Sequence, residues 1–151
     1  MIMRVGRITC LLLVLSGLAF TARGEEGVVG SVKTAQGHAV VRRGADSIAA
    51  REGMHLLLND VLETSADGRL AAILQDGTRI SLGPNTELKV DQFVYQPVEG
   101  KFALVLRLGR GVLAYVSGKI AKFSPGSVSV QTPVGVLGLR GTHFAVSLEG
   151  S

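Results

Sequence analysis

The sequence predicts an all-β, single-domain protein of short strands joined by tight turns, arranged as a sandwich, a roll or a short β-solenoid. Three observations carry that prediction. Apolar residues recur at every second position in run after run, and Gly, Asn and Asp punctuate those runs at intervals of about eight to ten residues. The chain of 151 residues is 46% hydrophobic with 20 Gly but only 5% aromatic and no Trp. Its core must therefore come from aliphatic side chains, and Val and Ile suit a pleated, half-buried surface. The length fits one domain.

Taken in order, residues 1–24 read as a secretory signal peptide. Arg4 and Arg7 precede an unbroken apolar run from Cys10 to Phe20, and the small residues Ala22 and Gly24 frame a cleavage site after Gly24. The run is well short of the roughly 20 residues that cross a bilayer as a helix, so no stable membrane span is expected once the leader is removed. Residues 25–151 then form the domain. Strands are expected at Val28 to Lys33, Ala39 to Arg43, Arg69 to Leu74, Thr78 to Leu82, Thr86 to Val90, Phe102 to Leu108, Gly111 to Val116, Ser127 to Gln131 and Thr142 to Leu148. Tight turns are expected at Asp67-Gly68, Asp76-Gly77 and Gly83-Pro84-Asn85, where Gly and Asn supply positive φ at little steric cost. The single candidate helix is Ile48 to Leu58, weakened by poor apolar spacing and by Gly53.

Charge and chemistry narrow the function classes. The chain has 16 basic and 12 acidic residues; loss of Arg4, Arg7 and Arg23 with the leader leaves 13 against 12. That near-balance lacks the clustered cationic surplus a nucleic-acid partner requires. Cys10 is the sole cysteine and lies in the leader, which removes thiol catalysis, thiolate metal sites and disulfides together. His38, His55 and His143 are not at the spacings of a local metal site. No nucleophile elbow, Walker loop or dinucleotide fingerprint is present. Asp60, Asp67, Asp76 and Asp91 read as turn carboxylates instead of an acid and base pair. No catalytic residue, cofactor or metal is expected, and a hydrolase is the weakest class.

The segment QTPVGVLGLRGTHFAV, Gln131 to Val146, is the most ordered motif. Thr132-Pro133 ends one strand because Pro lacks the ladder donor, and Thr142 to Phe144 opens the next. Gly135, Gly138 and Gly141 fill the connection between them, with positive φ or a close backbone approach as the reason for glycine. Arg140 either staples this bend to neighbouring carbonyl oxygens and a carboxylate or contacts an external partner. Val94 to Gly100 reads as a loop, with Tyr95 a candidate partner contact. Strand edges offer a second kind of docking surface.

Asp67-Gly68-Arg69, Gln75 to Ile80, Leu82 to Thr86, Thr132-Pro133 and Arg140 to Phe144, in that order, resemble the FecR-like domain family over about residues 60 to 148. The stretch SGKIAKFSP, Ser117 to Pro125, resembles its single-domain exported members. The resemblance implies a periplasmic, non-enzymatic, all-β module that contacts envelope proteins, in sensing or signalling. Well-known members carry a cytoplasmic anti-sigma region before a membrane span; here a short leader stands in that place, so a role in holding a sigma factor is not expected. The alternatives are a structural envelope component and a carbohydrate-binding module.

Overall fold

A computed structural model describes residues 27–148. The signal peptide and its cleavage site after Gly24 lie outside the described residues. Twelve strands follow: β1 (Val28–Gln36), β2 (Ala39–Arg43), β3 (Asp46–Ala49), β4 (His55–Leu57), β5 (Val61–Thr64), β6 (Arg69–Leu74), β7 (Arg79–Leu82), β8 (Glu87–Gln96), β9 (Lys101–Val116), β10 (Val128–Thr132), β11 (Gly135–Gly138) and β12 (His143–Leu148). One short helix, α1 (Lys119–Phe123), lies between β9 and β10, and single 3-10 turns occupy Pro97–Glu99 and Pro125–Ser127.

The strands form one sheet curled into a half-barrel, the roll among the three predicted architectures. Its order is β3-β2-β5-β8-β9-β7-β6-β1-β4. On the other side of β9, β10 pairs in parallel with residues 104–107 and β12 pairs antiparallel with residues 111–116; β11 lies outside β10. The N-terminal half of β9 thus belongs to one face of the roll, with β8, β5, β2 and β3. Its C-terminal half belongs to the other, with β7, β6, β1, β4 and β12.

Alternation explains which face each strand buries. Leu70, Ala72 and Leu74 on β6, Ile80 and Leu82 on β7, and Leu88 and Val90 on β8 point into one aliphatic cluster, with Ala71, Ile73, Ser81 and Lys89 between them less buried. On β9 the buried set is Leu104, Leu106 and Leu108, then Leu113 and Tyr115. The parity changes from even to odd between Leu108 and Leu113, because the register against β8 shifts between Glu87 and Leu88. Gly111 takes φ +91° in this segment, and a Cβ there would lie 2.2 Å from Thr86 Oγ1. Side chains disfavour that backbone conformation, so glycine is required. The two strands predicted from alternation are therefore one strand with a pivot.

Three further expectations are corrected. Ile48 to Leu58 is not a helix: Ala50 N–H extends the pairing to Ala39, Gly53 turns with φ +82°, and Gly53 and Met54 bond back to Val32. The segment Gly135–Gly138 is a strand, not a connection filled by glycine. Asp91 lies on β8, not in a turn.

Candidate functional site

The predicted turns are structural fastenings. Asp76 is 1% exposed and its carboxylate accepts hydrogen bonds from Thr78 N (3.0 Å), Thr78 Oγ1 (2.8 Å) and Ile120 N (3.1 Å). Its carbonyl oxygen accepts Lys119 N at 2.8 Å. The amides at the start of α1, which a helix cannot satisfy internally, are thereby capped by a residue far away in sequence. A Cβ at Gly118 would lie 2.3 Å from Thr78 N, so this close seating also requires glycine. Gly77 completes the turn at φ +86°.

The turn Gly83-Pro84-Asn85 is held by two threonines. Thr64 Oγ1 donates to Gly83 O (2.6 Å) and accepts Thr86 N (3.0 Å); Thr86 Oγ1 accepts Val112 N (2.9 Å). Asn85 takes φ +51°. At Asp67-Gly68 the exposed Asp67 meets His38 Nδ1 at 3.0 Å, and the His38 hydrogen bond holds its carboxyl below the usual range. Asp60, also 1% exposed, receives both Nε and Nη2 of Arg43 (3.0 and 2.8 Å) and the Leu57 amide. Burial first, and the Asp76 charge second, push the Tyr115 hydroxyl up to about 12 against a smaller opposing effect of Thr78.

The closing motif contains the more open surface. Thr132 Oγ1 donates to Gly135 O at 2.9 Å and accepts Val134 N at 3.3 Å, closing the hairpin around exposed Pro133. Ser129, Val130, Gln131 and Thr132 of β10 pair with Gly138, Leu137, Val136 and Gly135 of β11. On its other side β11 pairs with no described strand. Val134 is 87% exposed and Val136 67%, with Leu137 exposed on the opposite face of the ribbon. Gly135 has φ +155° and Gly141 φ +113°, whereas Gly138 has neither positive φ nor a close neighbour, so neither proposed reason for glycine applies to it.

Beyond β11 the chain returns inward. Leu139 is buried and its amide reaches Val128 O at 3.2 Å; Thr142 O accepts Ser117 N at 2.9 Å; Phe144 packs tilted on Tyr115 at 6.3 Å. Arg140 is exposed and is held by no carbonyl or carboxylate among the described residues, which corrects the stapling expectation. A charge left in water needs no partner, and this one remains available to an external group. Tyr95 is also corrected: it is half-buried on β8, against Phe102 at 6.2 Å, instead of standing on a loop. Sequence reasoning does not single out Val134 or Val136, and it lets Leu137 face inward with Leu139, whereas only Leu139 of that pair is buried; the uncharged run Thr132 to Leu139 is the signal that marks the exposed residues.

Among the described residues, no group of three or more His, Cys, Asp or Glu side chains is placed to hold a metal ion. No helix there is long and apolar enough to cross a membrane. The FecR protein family model matches residues 60–151, from the start of β5 through β12. The chain belongs to the FecR protein family. FecR proteins take part in envelope signalling, and the family is non-enzymatic. The turns and closing motif that carry the resemblance all fall within the matched region. No curated protein and no solved structure matches this FecR chain.

Proposed function

We propose that this FecR protein works in the periplasm as a non-enzymatic interaction module of envelope signalling, and that an extended segment of an envelope protein binds by adding a strand to β11. The free edge of β11 carries this reading. An edge strand offers backbone donors and acceptors to an incoming chain, and natural edges are usually blunted by charge, proline or a bulge within the strand. Residues Gly135 to Gly138 have none of these, and Val136 and Leu137 offer apolar contacts on opposite faces. Backbone pairing supplies affinity in such complexes and alternate side chains supply selectivity. The apolar leader, residues 10–20, supports export, and exposed Arg140 beside the strand supplies a cation for an acidic flank of the partner.

The test is a photo-crosslinking residue at Val136, compared with one at Ser147 on β12. A discrete adduct with an envelope protein is expected only from Val136, and with the crosslinking residue moved to exposed Leu137 the adduct is expected to be abolished by Val136→Pro while the domain stays folded. Equal adducts from both positions, or an unchanged adduct with the proline, would overturn strand addition at β11. A carbohydrate surface is the second reading. It rests on Phe123, 63% exposed and stacked on Phe102 at 5.5 Å, since aromatic faces suit sugar rings. Glycan binding lost in Phe123→Ala would favour it; glycan binding that persists would exclude this platform.

A further inference from the structure

The two faces of the roll differ in how their charges are balanced. Around β2, β5, β8 and the first half of β9, cations meet carboxylates: Arg42 meets Glu63 and Glu87, Arg43 meets Asp60, Lys89 and Arg107 meet Asp91, and Arg110 meets Glu87. The opposite face has no such balance. Strands β1, β4, β6, β7 and β12 contain no acidic residue, yet carry Lys33, Arg69 and Arg79, and none of these three forms an ion pair among the described residues.

Two of these cations line one cleft. The β1 ladder shifts register between Val32, opposite Ala72, and Thr34, opposite Ala71, so Lys33 stands at a bulge without a partner on β6. Bulges re-aim a side chain and recur beside binding sites. Across the sheet, Ala71 pairs with Ser81 and Ile73 with Arg79. Lys33, Arg79, Ser81, Ala71 and Ile73 together line a cleft of about 320 Å³. The short Ala71 side chain leaves the hollow, Ile73 supplies an apolar wall, and the two cations and the Ser81 hydroxyl supply donors.

We infer that this cleft binds a small anionic ligand, a phosphate or carboxylate group on a compact apolar body. Arg79 presents the planar fork that matches an oxyanion in two contacts, while Lys33 adds a point charge and Ser81 a hydroxyl donor. A concave site with cations of one sign concentrates anions more than the same charges on a flat surface. Its volume is at the small end of ligand sites, about 300 Å³ upward, and suits a single headgroup better than a broad membrane contact. The site lies on strands other than β11 and does not depend on partner addition there.

The test is a titration of isotope-labelled full chain with phenyl phosphate and with inorganic phosphate, followed by amide NMR. Shifts are expected at Lys33, Ile73, Arg79 and Ser81, with tighter binding of phenyl phosphate because its ring meets Ile73. Each of Lys33→Ala and Arg79→Ala is expected to weaken binding about tenfold, the scale of a charge-assisted contact. Arg79→Lys should restore part of the loss, and Arg107→Ala should change nothing. If an alanine variant fails to fold, Lys33→Gln and Arg79→Gln replace it, with unperturbed amides elsewhere as the check. No shift at millimolar ligand, or equal binding by the variants, would overturn the inference. Binding to phosphatidylglycerol vesicles without binding to phenyl phosphate would overturn it in favour of a membrane-facing surface.

Discussion

Replacing Asp76 with Ala probes the joint between the β6–β7 turn and α1. The substitution removes a carboxylate that accepts three hydrogen bonds while 1% exposed. Bonds to a charged acceptor contribute about 1.5 to 3 kcal/mol each, but the Thr78 hydroxyl is free to rotate to another acceptor, and a small cavity admits some relaxation. The amides of Thr78 and Ile120 cannot move so easily. Two stranded donors at about 1 to 3 kcal/mol apiece put the loss near 2 to 6 kcal/mol. For a domain of this size that is a fall in melting temperature of roughly 8 to 25 °C. Urea unfolding followed by tyrosine emission measures it, since the chain has no Trp. Asp76→Asn keeps one acceptor oxygen and is expected to lose about half as much. Hydrogen exchange at Ile120 provides the local readout, with protection falling ahead of the β9 amides. A loss under about 1 kcal/mol, or unchanged protection at Ile120, would refute the claim that this carboxylate anchors the helix.

Two other outcomes follow from buried polar groups. Arg43→Ala removes both guanidinium bonds from Asp60 and keeps the Leu57 amide, and an uncompensated buried charge costs about 3 to 5 kcal/mol, somewhat less here because the arginine side is partly in water; the double variant Arg43→Ala with Asp60→Asn should recover part of that loss in the same unfolding assay. Tyr115 has a hydroxyl raised from 10.0 to about 12 when folded, so its contribution to stability is intact below pH 10 and declines as pH rises from 10 towards 12. Alkaline unfolding curves should show that decline, and Tyr115→Phe should remove it; an identical pH dependence in the variant would contradict the assignment.

Strands whose inward residues alternate without interruption were legible in the sequence. Ala39–Arg43 and Arg69–Leu74 match the predicted bounds. Elements shaped by distant contacts were not. Strand β9 reads as two pieces because its inward parity changes at the pivot, and no local rule distinguishes a pivot from a turn when Gly109 and Gly111 are present. Helix α1 has five residues and is capped by Asp76 from 44 positions away, so a local search for helix signals finds no cap. Strand β11 is exposed on both faces, which erases the alternation used to recognise strands. At the candidate site, the closing motif was visible as a pattern, but the free edge beside it depends on which strand lies next to β10. The cationic cleft is less legible still: Lys33 and Arg79 are 46 positions apart in sequence, and only the pairing of β1, β6 and β7 brings them to one hollow.

Strand β9 also dictates an order of assembly. Residues 27–100 contain β1 through β8, but among the described strands the hydrogen-bonded ladder joins the two groups they supply only through residues 101–116. A chain emerging from its N-terminus therefore exposes two unfinished half-shells until the shared seam arrives, a late event of high sequence separation that slows folding. A fragment ending at residue 100 should melt without a cooperative transition. Until that shared strand is in place, the inward faces of both strand groups lack the Leu104, Leu106, Leu108, Leu113 and Tyr115 side chains that cover them.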